Sequence, residues 1–157
     1  MLPDSVRDHA IAAAVADFDS AAVATGKLDR GELTLEIAPA KIASVCGFLK
    51  YDLKFVRLSS VTAVDRFPNE PRFEVVYHLH SVERNQRVRL KCRLPDIDPV
   101  IESVTSVWRG ANWYEREVFD LFGIRFLNHP DLRRIMLPEG WEGHPLRKDY
   151  PVTGSRV

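Results

Sequence analysis

Phe73-Glu74-Val75-Val76-Tyr77-His78-Leu79-His80 alternates its side chains, and so does Arg87-Val88-Arg89-Leu90-Lys91-Cys92-Arg93-Leu94 a few residues later. In the first run Phe73, Val75, Tyr77 and Leu79 fall on one face, with Glu74, Val76, His78 and His80 on the other. In the second, Val88, Leu90, Cys92 and Leu94 oppose Arg87, Arg89, Lys91 and Arg93. Successive side chains of a strand point to opposite sides of a sheet, so each run describes a strand with an apolar and a polar face. Glu83 to Gln86 joins the two as a hairpin. A sheet that is greasy on one side needs a second layer to cover that side.

Reading upstream, Leu53 to Val64 is rich in apolar and β-branched residues and predicts a long strand, with Ser59 and Ser60 breaking its alternation as a bulge does. Leu33, Leu35 and Ile37 alternate with Thr34 and Glu36 as a further half-buried strand, and Gly26 and Gly31 bracket a charged turn before it. The covering layer lies in two helical patterns. From Pro3 to Phe18 the residues Val6, Ala10, Ile11, Ala14, Val15 and Phe18 recur at helical spacing behind Asp4 or Ser5 as cap. Pro39 opens the second helix, whose apolar face is Ile42, Val45, Cys46 and Leu49.

Downstream, Asp98 and Pro99 predict the cap and first residue of a short helix carrying Val100, Ile101, Val104, Val107 and Trp108 and ended by Gly110. Asn112, three residues before Glu115, reads as a capping box, and Gly123 as the left-handed stop of that helix. Beyond it, Pro130, Pro138, Pro145 and Pro151 with Gly140, Gly143 and Gly154 forbid any long regular element. Yet Ile124, Phe126, Leu132, Ile135, Met136, Leu137, Trp141, Leu146 and Tyr150 are too much apolar surface for a solvated linker. The segment reads as an arm that packs on something else. The expected fold is α+β: over residues 1–110 a two-layer domain with a mixed or antiparallel sheet of about four strands packed by helices, then over 111–157 a helix and an extended partner-binding arm.

The bulk numbers narrow the function. A chain of 157 residues, 45% of them hydrophobic, suffices for one compact domain. With 22 basic and 22 acidic residues it has no overall field to attract nucleic acid or an anionic membrane. No apolar run approaches the roughly 20 residues of a spanning helix. The N-terminus, with Asp4 and Asp8 beside Arg7, has neither secretory nor transit-peptide character, so cytoplasmic residence is the expectation. Cys46 and Cys92 each sit in an apolar pattern and read as core residues rather than a disulfide or metal ligands. An iron-sulfur cluster normally takes about four cysteines.

Glu115, Arg116, Glu117 and Asp120 crowd one helix. They admit acid–base chemistry, including a hydrolase that pairs Glu115 or Glu117 with a histidine, but the favoured reading is ion pairing, with Arg116 in reach of Asp120 four positions on. His129-Pro130-Asp131-Leu132-Arg133-Arg134-Ile135 sets two guanidinium forks beside an acid and a rigid turn; it suits pairing with that helix or with a partner's carboxylates. His78 and His80 share a strand face, while His129 and His144 lie near turns. No HExxH or CxxC spacing turns any of them into a metal motif.

The run Asn112-Trp113-Tyr114-Glu115-Arg116-Glu117-Val118-Phe119-Asp120-Leu121-Phe122-Gly123-Ile124, followed by His129-Pro130-Asp131-Leu132-Arg133-Arg134-Ile135-Met136-Leu137-Pro138, closely resembles the signature of the respiratory NADH dehydrogenase C subunit, the thirty-kilodalton subunit of complex I. Trp141-Glu142-Gly143-His144-Pro145-Leu146-Arg147-Lys148-Asp149-Tyr150-Pro151 resembles that family's final stretch. Together these cover about the last third of the chain, and the order of elements before them resembles the family's two-layer α+β domain. The resemblance implies a subunit that holds no flavin, cluster or metal, within a proton-translocating complex whose other subunits carry FMN, iron-sulfur clusters, NADH and quinone. Its implied partners are the large D subunit and the cluster-bearing subunits of the peripheral arm. Its implied place is the cytoplasmic side of the bacterial inner membrane, which it touches only through the complex. Contacts are expected from Glu115, Arg116, Glu117, Asp120, His129, Asp131, Arg133, Arg134, Trp141, Leu146, Arg147, Lys148, Asp149 and Tyr150. Some relatives continue past the equivalent of Tyr150 and Pro151 or are fused to the D subunit. Related chains serve membrane-bound hydrogenases and ferredoxin- or F420-linked dehydrogenases, and a free-standing anion-binding module using Arg133 and Arg134 is a further alternative.

Overall fold

The computed structural model describes residues 2–153. Its elements run α1 (Ala10–Phe18), β1 (Val23–Asp29), β2 (Glu32–Ile37), α2 (Ile42–Tyr51), β3 (Arg57–Asp65), β4 (Phe73–Ser81), β5 (Gln86–Leu94), β6 (Val100–Glu102), α3 (Ala111–Phe122) and β7 (Arg125–Leu127). The main sheet has five strands in the order β1-β2-β5-β4-β3. Only the central pair β2 and β5 is parallel, and the other pairs are antiparallel. The sheet is therefore mixed and has one strand more than expected. The β4–β5 hairpin keeps one unbroken register from Phe73 opposite Leu94 to Ser81 opposite Gln86. Along β3 the register slips between Leu58 and Ser60, which is the bulge that the two serines foretell.

Leu33, Leu35 and Ile37 of β2 point inward with Phe73, Val75, Tyr77 and Leu79 of β4 and Val88, Leu90, Cys92 and Leu94 of β5. Ile11, Ala12 and Val15 of α1 and Ile42, Val45, Cys46 and Leu49 of α2 close over them in one core. Each large aliphatic side chain so buried contributes roughly 1.5–3 kcal/mol. Both cysteines are free thiols within this core, where burial pushes their pKa values up.

Four local expectations are corrected. The first helix does not begin at Pro3: Asp4–Val6 forms only a 3-10 turn, and α1 starts at Ala10, capped by His9, whose Nδ1 accepts from the Ile11 N–H at 3.3 Å. Gly26 does not bracket a turn but lies within β1, because a Cβ there would stand 2.8 Å from Val6 Cγ2, and its absence lets Val6 bury itself on the strand. Val100–Glu102 is a strand, not a helix; its β-branched residues pair in parallel with Arg125–Leu127, and Asp98, at φ 51°, is left-handed and cannot cap. Finally, α3 begins at Ala111 behind Gly110 with no side-chain cap, since Glu115 turns away from the helix terminus. Gly123 does end α3, at φ 75°.

From residue 128 to 153 there is neither helix nor strand, only turns and bends. Gly154, counted among the breakers, lies outside the described residues.

Candidate functional site: the terminal helix and the strap it holds

α3 lies against the edge strand β3, where Tyr114 Oη donates to the Ser59 carbonyl at 3.1 Å. A helix leaves its last carbonyls without internal partners. Here the segment that follows supplies the missing donors. His144 Nδ1 donates to the Asp120 carbonyl at 2.9 Å, Leu146 N–H to Leu121 O at 3.1 Å, and Arg147 Nε to Phe122 O at 2.6 Å. Gly123 makes this crossing possible a second way: a Cβ on it would stand 2.6 Å from the His144 ring and 2.8 Å from Arg147.

Asp120 is the hub. Its Oδ2 accepts the successive backbone N–H groups of Ile135, Met136 and Leu137 at 3.0, 2.7 and 2.9 Å, and its Oδ1 accepts Arg134 Nη1 at 2.7 Å. Arg134 Nη2 donates onward to the carbonyls of Trp141 and Gly143, both at 2.9 Å. Burial alone would raise the Asp120 pKa, but Arg134 and the three N–H groups outweigh it and hold the carboxyl below the usual range. Arg116 does not pair with Asp120 as its spacing suggests. It lies over the Trp113 ring at 5.2 Å and donates to the carbonyls of Arg133 and Arg134 at 3.1 and 3.3 Å. Glu117 and Asp120 do not share an environment either, because Glu117 faces solvent and Asp120 is fully buried.

A second hub fastens the far end of the strap. Arg72, almost wholly buried, meets Asp65 with a two-pronged fork at 2.9 Å on each prong, and reaches Asp96 at 2.9 Å and Asp149 at 2.6 and 3.1 Å. Its guanidinium lies 4.8 Å from the Phe67 ring and 4.9 Å from that of Phe73. Lys148 adds its backbone N–H to Asp65 at 2.8 Å. Burial would raise the Asp65 pKa, yet Arg72 and the N–H groups of Lys148 and Phe67 pull it far below the ordinary value. Of these residues only Lys148 and Asp149 were expected. Asp65 and Arg72 carry no local signal, as 77 positions separate Arg72 from Asp149.

Other expected residues fall around these hubs. Asp131 and Arg133 pair at 2.9 Å in solvent. His129 donates from Nε2 to Asn112 O at 3.2 Å and accepts the Asp131 N–H on Nδ1 at 3.0 Å, which fixes it neutral; burial first, then Arg116, lowers its pKa. Tyr150 packs its ring onto Gly143. Trp141 is half-buried and Leu146 exposed. Arg134, fully engaged within the chain, is not available to grip a free anion, which corrects the alternative drawn from Arg133 and Arg134. The strap does not project as a free arm but is tied to its own domain by polar atoms. Its greasy side chains divide: Leu132 packs on the core, whereas Ile135, Met136 and Leu146 stay exposed.

Among the described residues Glu115 is the one carboxyl driven toward neutrality. It is wholly buried, accepts the Ser103 hydroxyl and the Val104 N–H at 2.7 Å each, and is pushed up to about 7 by burial, which those two bonds only partly offset. His129 stands 3.8 Å away, beyond hydrogen-bond reach, and both side chains are buried. Because the folded chain holds this proton more tightly than the unfolded one, the associated stability is full below the ordinary value of 4.5 and is lost as pH rises through about 7. The loss amounts to about 3 kcal/mol. Glu115→Gln keeps the shape without the charge, so urea unfolding from pH 5 to 8 is expected to give a variant about 2–3 kcal/mol more stable than the parent at pH 8. An unchanged slope between pH 5 and 8 counts against a buried titrating carboxyl.

Among the described residues no group of three or more His, Cys, Asp and Glu side chains is placed to hold a metal ion, and no helix is long and apolar enough to cross a membrane.

Residues 35–156 match the family model described as respiratory-chain NADH dehydrogenase, 30 Kd subunit. The chain is 52% identical to the C subunit of the NADH-quinone oxidoreductase of Geobacter sulfurreducens over 80% of its own length and 78% of that protein. It is also 52% identical to the mitochondrial NADH-ubiquinone oxidoreductase 30.4 kDa subunit of Neurospora crassa, over 80% of this chain and 44% of that one. Among solved structures, a trypsin-resistant fragment of Nqo5 superposes with a TM-score of 0.63 at 32% identity, covering 68% of this chain and 88% of the fragment. A chain of the membrane-bound sulfane sulfur reductase, an archaeal respiratory membrane complex, superposes with a TM-score of 0.78 at 29% identity over 90% of this chain and 84% of that one. The mixed sheet, the strapped terminal helix and half-identity to these subunits over four-fifths of the length lead to one conclusion: the chain belongs to the respiratory-chain NADH dehydrogenase 30 Kd subunit family.

Proposed function

We propose that this chain is a docking subunit, without a cofactor of its own, in the peripheral arm of a proton-translocating NADH:quinone oxidoreductase. In this reading FMN and the iron-sulfur clusters belong to neighbouring subunits, and the chain meets the cytoplasmic side of the membrane only through them. Residues 111–157 form the partner-binding part, and the neighbours are the large quinone-site subunit and the cluster-bearing subunits. The mechanism is positional: fixing the neighbours keeps the cluster-to-quinone spacing on which electron transfer depends. The observation that carries this reading is that polar anchors order the strap while leaving Ile135, Met136 and Leu146 uncovered. Met136 is 62% exposed and Trp113, on the outer side of α3, 60%. Large exposed aromatic and thioether side chains on an ordered frame are what interface cores are made of.

The test is a tagged chain purified from its native membranes. Trp113→Asp combined with Met136→Asp is expected to reduce co-purifying flavin and cluster subunits at least tenfold, as roughly 1.4 kcal/mol or more of lost binding does. The thermal midpoint should fall by only about 2–4 °C, since Met136 is a surface side chain and the Trp113 ring's contact with Arg116 is worth about 0.5–1 kcal/mol. Full co-purification would remove the basis for docking through this face. The likeness to the archaeal sulfane sulfur reductase chain over 90% of the length favours a second reading, the equivalent subunit of a related membrane-bound respiratory complex. An NADH-oxidising flavin subunit in the purified material separates the two.

A further inference from the structure

On the polar side of the sheet, strand register sets Arg57, His80 and Arg87 in one row, Arg57 opposite His80 and His80 opposite Arg87. The two guanidiniums spring from strands roughly 10 Å apart and flank one imidazole, a juxtaposition that weakens a sheet unless something negative lies between. The next three cations along β5 are each answered by a carboxylate: Arg89 by Glu32 at 3.0 Å, Lys91 by Glu74 at 2.8 Å and Arg93 by Glu36 at 3.2 Å. Among the described residues no carboxylate pairs with Arg57 or Arg87.

The row borders a cavity of about 330 Å³ that Ser60, His78, Arg89 and Glu32 also line. A directed chain of donors ends there. Arg89, held by Glu32, donates from Nε to His78 Nε2 at 3.1 Å. Since arginine only donates, the imidazole carries its proton on Nδ1 and gives it to Ser60 Oγ at 3.0 Å. Burial first, then the Arg89 charge, holds the His78 pKa below its usual value, which agrees with this neutral tautomer. The Ser60 hydroxyl hydrogen then has no acceptor among the described residues. Three guanidiniums face one carboxylate around the cavity, and that carboxylate is already paired.

We propose that this cavity binds a phosphate-class oxyanion, held by the Arg57 and Arg87 guanidiniums and the Ser60 hydroxyl above His80. Planar forks suit the edges of a tetrahedral oxyanion, and the hydroxyl supplies a further donor. Free phosphate and the phosphate of a lipid headgroup share this chemistry.

The full chain, titrated with inorganic phosphate against chloride at constant ionic strength, is expected to give saturable amide shifts around Arg57, Ser60, His80 and Arg87. Arg57→Gln with Arg87→Gln should weaken that binding about tenfold or more, and Ser60→Ala about threefold. Both arginines are exposed, so the thermal midpoint of the double variant stays near the parent's and separates lost binding from lost folding. Sedimentation with phosphatidic acid vesicles is the second arm. Retention that the double variant loses identifies a headgroup, whereas phosphate shifts without retention identify a soluble anion. Shifts that never saturate, or equal affinity in the double variant, overturn the proposal.

Discussion

Asp120→Ala is expected to loosen the whole strap from Arg134 to Arg147 and to cost about 3–5 kcal/mol, because it takes the carboxylate from a largely covered guanidinium and leaves three backbone N–H groups without their acceptor. The loss is not that of one ion pair. The carboxylate also steadies Arg134, whose other terminal nitrogen donates to the Trp141 and Gly143 carbonyls. Amide exchange reads the effect directly: the Ile135, Met136 and Leu137 protons should exchange about a hundredfold faster or more, while those of β4 and β5 change only with global stability. Asp120→Asn is a milder probe, since one amide cannot serve both the guanidinium and the row of N–H groups as acceptor. If exchange at residues 135–137 is unmoved in the alanine variant, the strap is held by something other than this carboxylate.

The second large effect is expected at Arg72. Arg72→Leu strips the counter-charge from Asp65, Asp96 and Asp149, of which Asp65 is buried, and should cost about 3–5 kcal/mol. For a chain of this size that lowers the melting midpoint by about 10 °C. Arg72→Lys recovers little of it, as a point charge cannot reproduce the fork onto Asp65 or the contact with the Phe67 and Phe73 rings. The pH dependence has the opposite sign to that of Glu115. Asp65 has its pKa lowered on folding, so its contribution is present above the ordinary carboxylate range and lost as pH falls below it. The leucine variant should therefore lose part of the parent's acid limb. A lysine variant as stable as the parent would show that charge alone is at work.

Much of the fold was readable because its strongest signals are local. The β4–β5 hairpin, the bulge at Ser59 and Ser60, the 3-10 turn that Pro39 opens ahead of α2 and the Gly123 stop of α3 each depend on residues within a few positions of one another. What escaped depends on distant partners. β1 is an edge strand with only Val23 buried, so Lys27 and Asp29 hide its alternation and Gly26 mimics a turn. β6 becomes a strand because β7 lies beside it, a pairing that bridges all of α3. The same holds for the candidate site. Residue types at 115–120 and 129–134 announced charge pairing, but which acid meets which base was fixed by the fold: Arg134 took Asp120, and Arg116 took backbone carbonyls.

Because the chain's own strap already occupies the carbonyl end of α3, a neighbouring protein meets a finished relief rather than a loose thread. Ordering a free segment on contact would cost about 1–2 kcal/mol for each residue fixed, and here that entropy is settled before any encounter. Under the proposed docking, association resembles the fitting of two rigid bodies, and differences in affinity between variants of this face should lie chiefly in how fast they let go.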